Sequence, residues 1–314
     1  MGPFGLVFPG QGSQYPGMAQ DLHRRDGGVR ELFAEAGKVL GEDVAALCFD
    51  APQERLDQTV NTQIAVLTAD LAAWRAFAGQ VSAKPLVMAG HSLGEYAALH
   101  AAGALNLSDV LALVRKRALL HQEAVPLGEG AMAALMGLTW KEAEEFCRRI
   151  DGTLQALAPS IDNAPGQIVV SGRAAAVDAL IAAAKNGDGI QAVKLAVSVP
   201  CHCPLLTEAA RRFAKEAGRF NLMDCEVPVI PNCDPSSLHS SGRTRDLLTR
   251  QITSPVRWRE TIEMMVAMGV ETIVELGPKR ILSGLIRRID RKVRILNVED
   301  GESLDRTVAA FAEG

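Results

Sequence analysis

The sequence carries little net charge and no long apolar run. Its 33 Lys+Arg residues nearly balance 37 Asp+Glu residues, which leaves a net charge of −4 at pH 7. Because phosphate binding needs a concentrated basic face, we expect no nucleic-acid partner. No apolar stretch is long enough to span a bilayer, so we expect no membrane partner either. The amino terminus lacks a basic leader before its apolar run and does not predict a secretory signal.

The six cysteines are scattered, and none forms a C-x-x-C pair. Reduced thiols are typical of the cytosol, so we expect a cytoplasmic protein. The segment Cys201-His202-Cys203 resembles part of a metal cluster. A closed zinc site needs four suitably spaced ligands, and the remaining cysteines supply no clear partner pair. We therefore expect no metal.

The length and composition predict a folded chain. Apolar residues make up 48% of the 314 positions, which is too high a share for intrinsic disorder at this net charge. A chain of this length can bury a full-sized core in one large domain, or in one domain with a smaller insert.

Short apolar runs that end in glycine-rich turns indicate the fold class. Gly5–Phe8 leads directly into a glycine-rich loop, and Leu86–Ala89 leads into Gly90–Gly94 and the helical pattern of Glu95–Ala102. This order of strand, tight turn and helix is typical of an α/β fold with a mainly parallel sheet. We expect a large α/β-hydrolase-like domain formed by residues 1–128 and 199–314.

Residues 129–198 follow a different pattern. Their periodicity predicts strands over 131–138, 154–161, 167–171 and 192–199, with helices over 141–150 and 174–185. This β-α-β-β-α-β order is that of a ferredoxin-like unit, so we expect an inserted subdomain. After it, the pattern predicts strands over 227–230 and 272–276 and a helix over 255–268, while the polar run 234–245 predicts a surface loop.

The segment Gly90-His91-Ser92-Leu93-Gly94 satisfies the G-x-S-x-G pattern. In that pattern a sharp turn lifts the serine hydroxyl off the end of a strand, and the glycines let neighbouring backbone pass close by. The helix that follows points its unpaired N–H groups and positive dipole end at charge developing on the serine. We interpret Ser92 as a nucleophile for acyl chemistry; the alternative is an ordinary loop between strand and helix.

A serine hydroxyl needs a base within hydrogen-bond reach before it attacks at neutral pH. Of the six histidines, His23, His100 and His239 have ready surface or packing explanations. His202 follows a predicted strand where the chain returns from the insert, and strand ends are where α/β sites gather. We therefore take His202 as the candidate base, with a purely structural histidine as the alternative.

One cation of the run Arg115-Lys116-Arg117 faces inward. In a helix that starts at Ser108, at 100° per residue and with Val110 at zero, Arg117 falls at about 340°, inside the apolar arc. A buried guanidinium needs a carboxylate partner. That partner is either an Asp or Glu of the protein or an anionic substrate, which the guanidinium fork is shaped to hold.

Four motifs and three supporting segments follow one another along nearly the whole chain. The motifs are Phe8–Gln14, Gly90–Tyr96, Arg117 and Ser198–His202. The supporting segments are Asn163–Gln167, Gln251–Trp258 and Glu275–Pro278. Together they resemble the malonyl-CoA:acyl carrier protein transacylase family of type II fatty acid synthesis.

The resemblance implies a ping-pong transfer. Ser92 would attack malonyl-CoA with His202 as general base, coenzyme A would leave, and the phosphopantetheine thiol of an acyl carrier protein would take the malonyl group. Malonyl-CoA and a transiently docked acyl carrier protein are the implied partners, and no permanently bound cofactor is implied.

The resemblance also assigns roles to further residues. The family's two oxyanion-binding backbone N–H groups correspond to Gln11 and Leu93, and Arg117 would grip the malonyl carboxylate. The family orients its base with a backbone carbonyl, and Gln251 lies in the matching segment. The sequence departs from the family at Cys201, where serine is frequent, and at Thr62-Gln63-Ile64, where Thr-Gln-Pro is frequent.

Three alternatives stay open at this point. A serine esterase or thioesterase of the α/β-hydrolase type shares the G-x-S-x-G turn, but it predicts an acidic residue between nucleophile and histidine in the chain. A transferase serving polyketide synthesis would use the same residues. A catalytically silent acyl-binding or carrier-docking module would form no acyl adduct on Ser92.

Overall fold

A computed structural model describes residues 2–185, 190–197 and 199–313. The strands in these ranges are β1 (Phe4–Phe8), β2 (Val87–Gly90), β3 (Gly130–Met136), β4 (Leu157–Ala164), β5 (Gln167–Arg173), β6 (Gln191–Lys194), β7 (Val229–Ile230), β8 (Thr272–Leu276) and β9 (Arg294–Val298). The α-helices are α1 (Gln20–Arg25), α2 (Gly27–Leu40), α3 (Val44–Phe49), α4 (Gln53–Leu56), α5 (Thr59–Ala78), α6 (Gly94–Ala101), α7 (Leu107–Ala124), α8 (Trp140–Asp151), α9 (Ala174–Lys185), α10 (Thr207–Ala217), α11 (Thr244–Gln251), α12 (Trp258–Ala267), α13 (Ile281–Ile289) and α14 (Gly301–Ala312).

A parallel sheet forms the centre of the larger part of the molecule. Its strand order is β7-β2-β1-β8-β9, and every neighbouring pair runs parallel. All residues of β1, β2 and β8 are buried, as expected for strands covered by helices on both faces. The α/β class predicted from the strand-turn-helix pattern is confirmed.

The register of this sheet brings two loops together. β1 and β2 are neighbours, with Phe8 paired to Gly90 at their carboxyl ends. The glycine-rich loop after β1 and the Gly90–Gly94 turn after β2 therefore open at the same edge. In α/β sheets this edge is where ligands bind.

A separate antiparallel sheet is built from residues of the predicted insert. Its order is β4-β5-β3-β6, and its elements follow the predicted β-α-β-β-α-β sequence. The fold class, a parallel α/β sheet plus a ferredoxin-like unit, is thus confirmed. The boundaries at residues 129 and 198 stay a prediction, and Ser198 lies outside the described residues.

All four strands of this unit differ from their predicted limits, and the largest differences are at the two ends of β4 and at the end of β6. β4 begins at Leu157 rather than at residue 154, because Asp151 accepts a hydrogen bond from the Ala156 N–H (3.1 Å) and holds a turn there. β6 ends at Lys194, although the apolar pattern predicted a strand to Val199. Leu195 still donates its N–H to the Met132 carbonyl of β3 at 2.9 Å, and its side chain lines a cavity together with that of Val197, as described below.

Backbone bonds join the outer edge of β4 to the larger part of the chain. Asp162 donates its N–H to the Val256 carbonyl, and Val256 donates its own to the Ser160 carbonyl, both at 2.9 Å. This pairing explains why α12 begins at Trp258 and not at residue 255 as predicted. It also fixes the position of the antiparallel sheet beside the edge where the two loops open.

Most residues of the polar segment 234–245 are exposed or partly exposed, as predicted for a surface loop, but its last two residues begin α11. Pro235, His239 and Thr244 are buried within it, and the side chain of His239 is fully buried. Of the surface and packing explanations given for this histidine, the surface explanation is wrong, and its partners are described below. No helix in the described ranges has both the length and the apolar character needed to cross a membrane.

Candidate active site

The Gly90–Gly94 turn holds Ser92 in a left-handed conformation, with φ of 52°. A Cβ at Gly90 would lie 1.9 Å from the carbonyl carbon of Gly94, and a Cβ at Gly94 would lie 2.1 Å from the Phe8 carbonyl oxygen. Side chains at either position are therefore excluded by backbone. The turn presents the Ser92 hydroxyl at the carboxyl edge of the parallel sheet, as the G-x-S-x-G pattern predicted.

His202 lies against this hydroxyl. Its Nε2 is 2.6 Å from Ser92 Oγ, and its Nδ1 is 2.7 Å from the Gln251 carbonyl oxygen. A carbonyl oxygen only accepts, so Nδ1 carries the proton and Nε2 is free to accept one from Ser92. Burial, together with the nearby charge of Arg117, lowers the pKa of His202 to about 3. The ring is therefore neutral and able to act as a base.

Arg117 faces inward from α7, with 2% of its surface exposed, as the helical angles predicted. Nη1 donates to Gln63 Oε1 (2.7 Å), and Nη2 donates to Ser92 Oγ (3.1 Å) and Gln251 Oε1 (3.3 Å). Nε is buried without a partner, and in the described ranges no carboxylate lies within ion-pair distance of this guanidinium. An internal ion pair thus does not account for its burial, and the guanidinium lies over the Tyr96 ring, 5.4 Å from the ring centroid.

The amides around Ser92 divide into bonded and free groups. The Ser92 N–H donates to Asn232 Oδ1 at 2.5 Å. The N–H groups of Gln11 and Leu93 donate to no other group within the described chain. Both residues line the cavity that holds Ser92 and His202. Two unpaired backbone donors are thus available beside the nucleophile.

This cavity, of about 70 Å³, has two walls of opposite character. The polar wall consists of Gln11, His91, Ser92, Leu93, Arg117, Cys201 and His202. The apolar wall consists of Met132, Ile161, Leu195 and Val197, all from the antiparallel unit or the segment that follows β6. A larger cleft of about 420 Å³ shares Gln11 and His91 with the cavity. A long, thin acyl donor could therefore reach Ser92 through that cleft.

Cys201 adds no charge beside the base. Burial raises the pKa of its thiol to about 11, and Sγ lies 3.8 Å from Nδ1 of His121. The thiol is therefore protonated at neutral pH, and this departure from serine leaves the electrostatics of His202 unchanged. Among the described residues, no three His, Cys, Asp or Glu side chains are grouped so that they could hold a metal ion.

Three polar residues at the site were given no role by the sequence reasoning, although two of them lie in segments that it compared with the family. Gln63 binds Arg117, Asn163 of β4 bonds the His91 ring at 2.9 Å, and Asn232 bonds the Ser92 N–H. Asn232 lies two positions after β7, a strand of the same parallel sheet. Its place near the carboxyl end of a predicted strand was a usable signal, whereas Gln63 lies inside a helix and only the family's Thr-Gln-Pro segment pointed to it.

The chain has close relatives in sequence. Residues 6–303 match the acyl transferase domain family. The chain is 42% identical to the malonyl CoA-acyl carrier protein transacylase of Salmonella typhimurium over 289 residues, which cover 92% of this chain and 93% of that protein. It is 37% identical to the protein of the same name from Bacillus subtilis, over 100% of this chain and 98% of that one.

Solved structures agree with the sequence relatives. The malonyl CoA-acyl carrier protein transacylase of Coxiella burnetii matches with a TM-score of 0.94 and 43% identity, over 98% of this chain and 97% of that one. A second match is a chain from the complex of a type II polyketide synthase acyl-carrier protein with its malonyl-transacylase. Its TM-score is 0.94 at 40% identity, over 98% of this chain and 99% of that one.

Proposed function

The chain belongs to the acyl transferase domain family, and we infer that it is a malonyl-CoA:acyl carrier protein S-malonyltransferase. It transfers the malonyl group of malonyl-CoA to the phosphopantetheine thiol of an acyl carrier protein, as a step of fatty acid biosynthesis. Relatives at about 40% identity that span nearly the whole chain carry this activity in their names, and one is solved with its carrier protein.

In the first half of the reaction, His202 takes the proton of Ser92 as the oxygen attacks the thioester carbonyl. The 2.6 Å contact between Oγ and Nε2 supports these roles. The tetrahedral intermediate then collapses, the carbon–sulfur bond breaks, and His202 returns the proton to the departing thiolate of coenzyme A. The product is a malonyl ester of Ser92.

In the second half, the carrier protein's thiol takes the place of coenzyme A. His202 accepts the thiol proton while the sulfur attacks the ester carbonyl, and the proton returns to Ser92 Oγ as the ester bond breaks. Both transfers use groups of the two substrates and of the protein, so the proposed reaction needs no resident cofactor. The Gln251 carbonyl keeps the His202 ring oriented throughout.

We assign the oxyanion to the free N–H groups of Gln11 and Leu93. Loss of one oxyanion donor costs about 3 kcal/mol in comparable sites, so these two amides matter as much as any side chain. The Ser92 N–H is already donated to Asn232, which supports this assignment.

One observation carries the choice of malonyl as the acyl group: Arg117 is buried 3.1 Å from the nucleophile and has no carboxylate partner in the described chain. A malonyl ester on Ser92 places its free carboxylate next to this guanidinium. An acetyl ester leaves the cation unpaired, at a cost of roughly 3–5 kcal/mol. This corresponds to a discrimination of about 100-fold to several-thousand-fold, more than an apolar pocket achieves.

Two further expectations accompany this function. We propose that the enzyme works in the cytoplasm, because all six of its cysteines are free thiols. We also propose that residues 1–128 and 199–314 form the catalytic domain, with 129–198 as an inserted ferredoxin-like subdomain that supplies most of the apolar wall.

Mass spectrometry of the intact protein tests the proposal. After incubation with malonyl-CoA we expect one malonyl adduct on Ser92 and release of coenzyme A. Addition of carrier protein bearing its phosphopantetheine arm should remove the adduct and malonylate the carrier. Free malonate as the main product would instead identify a thioesterase, and the absence of any adduct would identify a binding module.

A further inference from the structure

The side-chain amide of Asn232 bonds the Gly90–Gly94 turn through both its oxygen and its nitrogen. Oδ1 accepts the Ser92 N–H at 2.5 Å, and Nδ2 donates to the Gly90 carbonyl oxygen at 2.6 Å. The two bonded groups flank the sharpest part of the turn, one on each side of His91. Since Ser92 has a positive φ, the turn needs such bonds to keep its conformation.

The backbone of Asn232 is bound as well. Its N–H donates to Glu95 Oε2 at 2.8 Å, and its carbonyl accepts from the Arg257 N–H at 3.0 Å. The side chain and backbone are both fully buried. Every polar group of this residue thus has a partner, which leaves it one position and one orientation.

Glu95 and His239 extend this arrangement away from the turn. Glu95 lies in the first turn of α6, and its Oε1 accepts from His239 Nε2 at 2.9 Å. The other ring nitrogen of His239 is 3.1 Å from the hydroxyl of Thr244, the first residue of α11. The last residue of that helix is Gln251, whose carbonyl orients the catalytic base.

We propose that Asn232, Glu95 and His239 form a buried positioning chain for the transfer reaction. Within this positioning chain, Asn232 binds the Ser92 backbone directly. His239 contacts Thr244 at the start of α11, the helix whose last residue orients His202. Asn232 also occupies the Ser92 N–H, which leaves the neighbouring Leu93 N–H to face the oxyanion. None of the three residues touches the substrate, so each acts through the residues it holds. The inference rests on the proposed malonyl transfer.

Asn232→Ala removes the two side-chain bonds to the Gly90–Gly94 turn and tests the residue that links this turn to Glu95. With carrier protein present as the acceptor, we expect kcat for coenzyme A release from malonyl-CoA to fall roughly 100-fold, because small misplacements of a nucleophile cost that much, while KM stays within about threefold. Labelling of Ser92 by phenylmethylsulfonyl fluoride should slow by a similar factor. Asn297→Ala, a buried asparagine on β9, is the matched control and should leave both rates unchanged.

Asn232→Asp covers the case in which the alanine variant does not fold. It keeps the size of the side chain and the acceptor for Ser92 but loses the donor to Gly90, so kcat should again fall at unchanged KM. If folded Asn232 variants label and turn over at the wild-type rate, or if only KM rises, the positioning role is wrong. A wild-type protein that releases no coenzyme A would refute the proposed function instead, whereas labelling by the sulfonyl fluoride needs no malonyl-CoA.

The connection to His239 is tested by a double-mutant cycle. His239→Ala should lower kcat by about three- to tenfold in the wild-type background, because Glu95 loses its outer partner. In the Asn232→Ala background the same change should lower kcat by a smaller factor, because only the connection through Thr244 and α11 is left to lose. Equal losses in both backgrounds would mean that His239 does not act through Asn232.

Discussion

The polar and apolar walls of the Ser92 cavity differ in how they are held. The polar wall contains two residues with positive φ, Ser92 and His202, and its side chains are bonded to one another and to backbone. The apolar wall comes from strands and a linking segment of the antiparallel unit, whose side chains make only packing contacts there. The comparison indicates that the polar wall positions the reacting groups through strained backbone and hydrogen bonds. The apolar wall shapes the cavity and excludes water through packing contacts.

The two walls are nevertheless joined. His91 of the polar wall bonds Asn163 of β4, and Val256 pairs with the same strand. Despite this connection, changes to the polar wall should alter the reaction itself, and changes to the apolar wall should alter which acyl group fits. The predictions below test this division, beginning with the largest effect.

Ser92→Ala removes the nucleophile of the polar wall. We expect no malonyl adduct by intact-protein mass spectrometry and a fall in transfer rate of more than about 1,000-fold. Ser108→Ala, on the exposed face of α7, should retain the adduct and the rate. An adduct that persists in the Ser92 variant would assign the nucleophile to another residue.

Arg117→Ala removes the cation but leaves Ser92 and His202 in place. We expect kcat/KM for malonyl-CoA to fall about 100-fold or more relative to that for acetyl-CoA, because only the malonyl ester has a carboxylate to lose. Arg115→Ala is the matched control: its guanidinium pairs with Glu42 at 2.7 Å, outside the cavity. Equal losses for both substrates would make Arg117 a structural residue.

Met132→Ala enlarges the cavity from the apolar wall. We expect kcat/KM for methylmalonyl-CoA to rise about tenfold relative to that for malonyl-CoA, since one methyl group in an apolar pocket is worth about that much. Met136→Ala, on the same strand but outside the cavity, should leave the ratio unchanged. A variant that loses malonyl transfer without any change in the ratio would give this wall a role in the chemistry.

The pH profile of kcat/KM should be nearly flat. Because the pKa of His202 is lowered to about 3, the neutral base persists above that value and is lost only as the pH falls towards it. Between pH 8 and pH 6 we expect a change of less than about twofold, whereas a base with the ordinary pKa of 6.5 would lose about fourfold. A profile with its midpoint near pH 6.5 would show that the buried His202 titrates normally.

Sequence reasoning succeeded where a property is local. The orientation of Arg117 follows from 3.6 residues per turn, and the Gly90–Gly94 turn follows from backbone that leaves no room for a Cβ. The order of elements in the antiparallel unit follows from periodicity in short windows. The limits of β4 and β6 were less accurate, because turns and contacts outside the sheet decide where a strand ends.

Local sequence patterns did not predict which distant residues form hydrogen bonds with Ser92, His202 and His239. The carbonyl that orients His202 belongs to Gln251, and the amide that holds Ser92 belongs to Asn232, 140 positions further along the chain. His239 looked like a surface residue because its neighbours in sequence are polar, yet its side chain is fully buried against Glu95. Only the packing of α6, α11 and the segment after β7 brings these groups together.

The amino-acid sequence on its own was enough to determine the strand and turn that carry the nucleophile, the inward guanidinium and the alternation of two sheet types. These depend on steric and periodic rules that act over a few neighbouring residues. The tertiary structure alone decided that the guanidinium finds no carboxylate in the described protein, and which free amides and carbonyls face the serine and its base. Such contacts join segments that are distant in sequence, and these hydrogen bonds become strong only when folding has excluded water from the space around them.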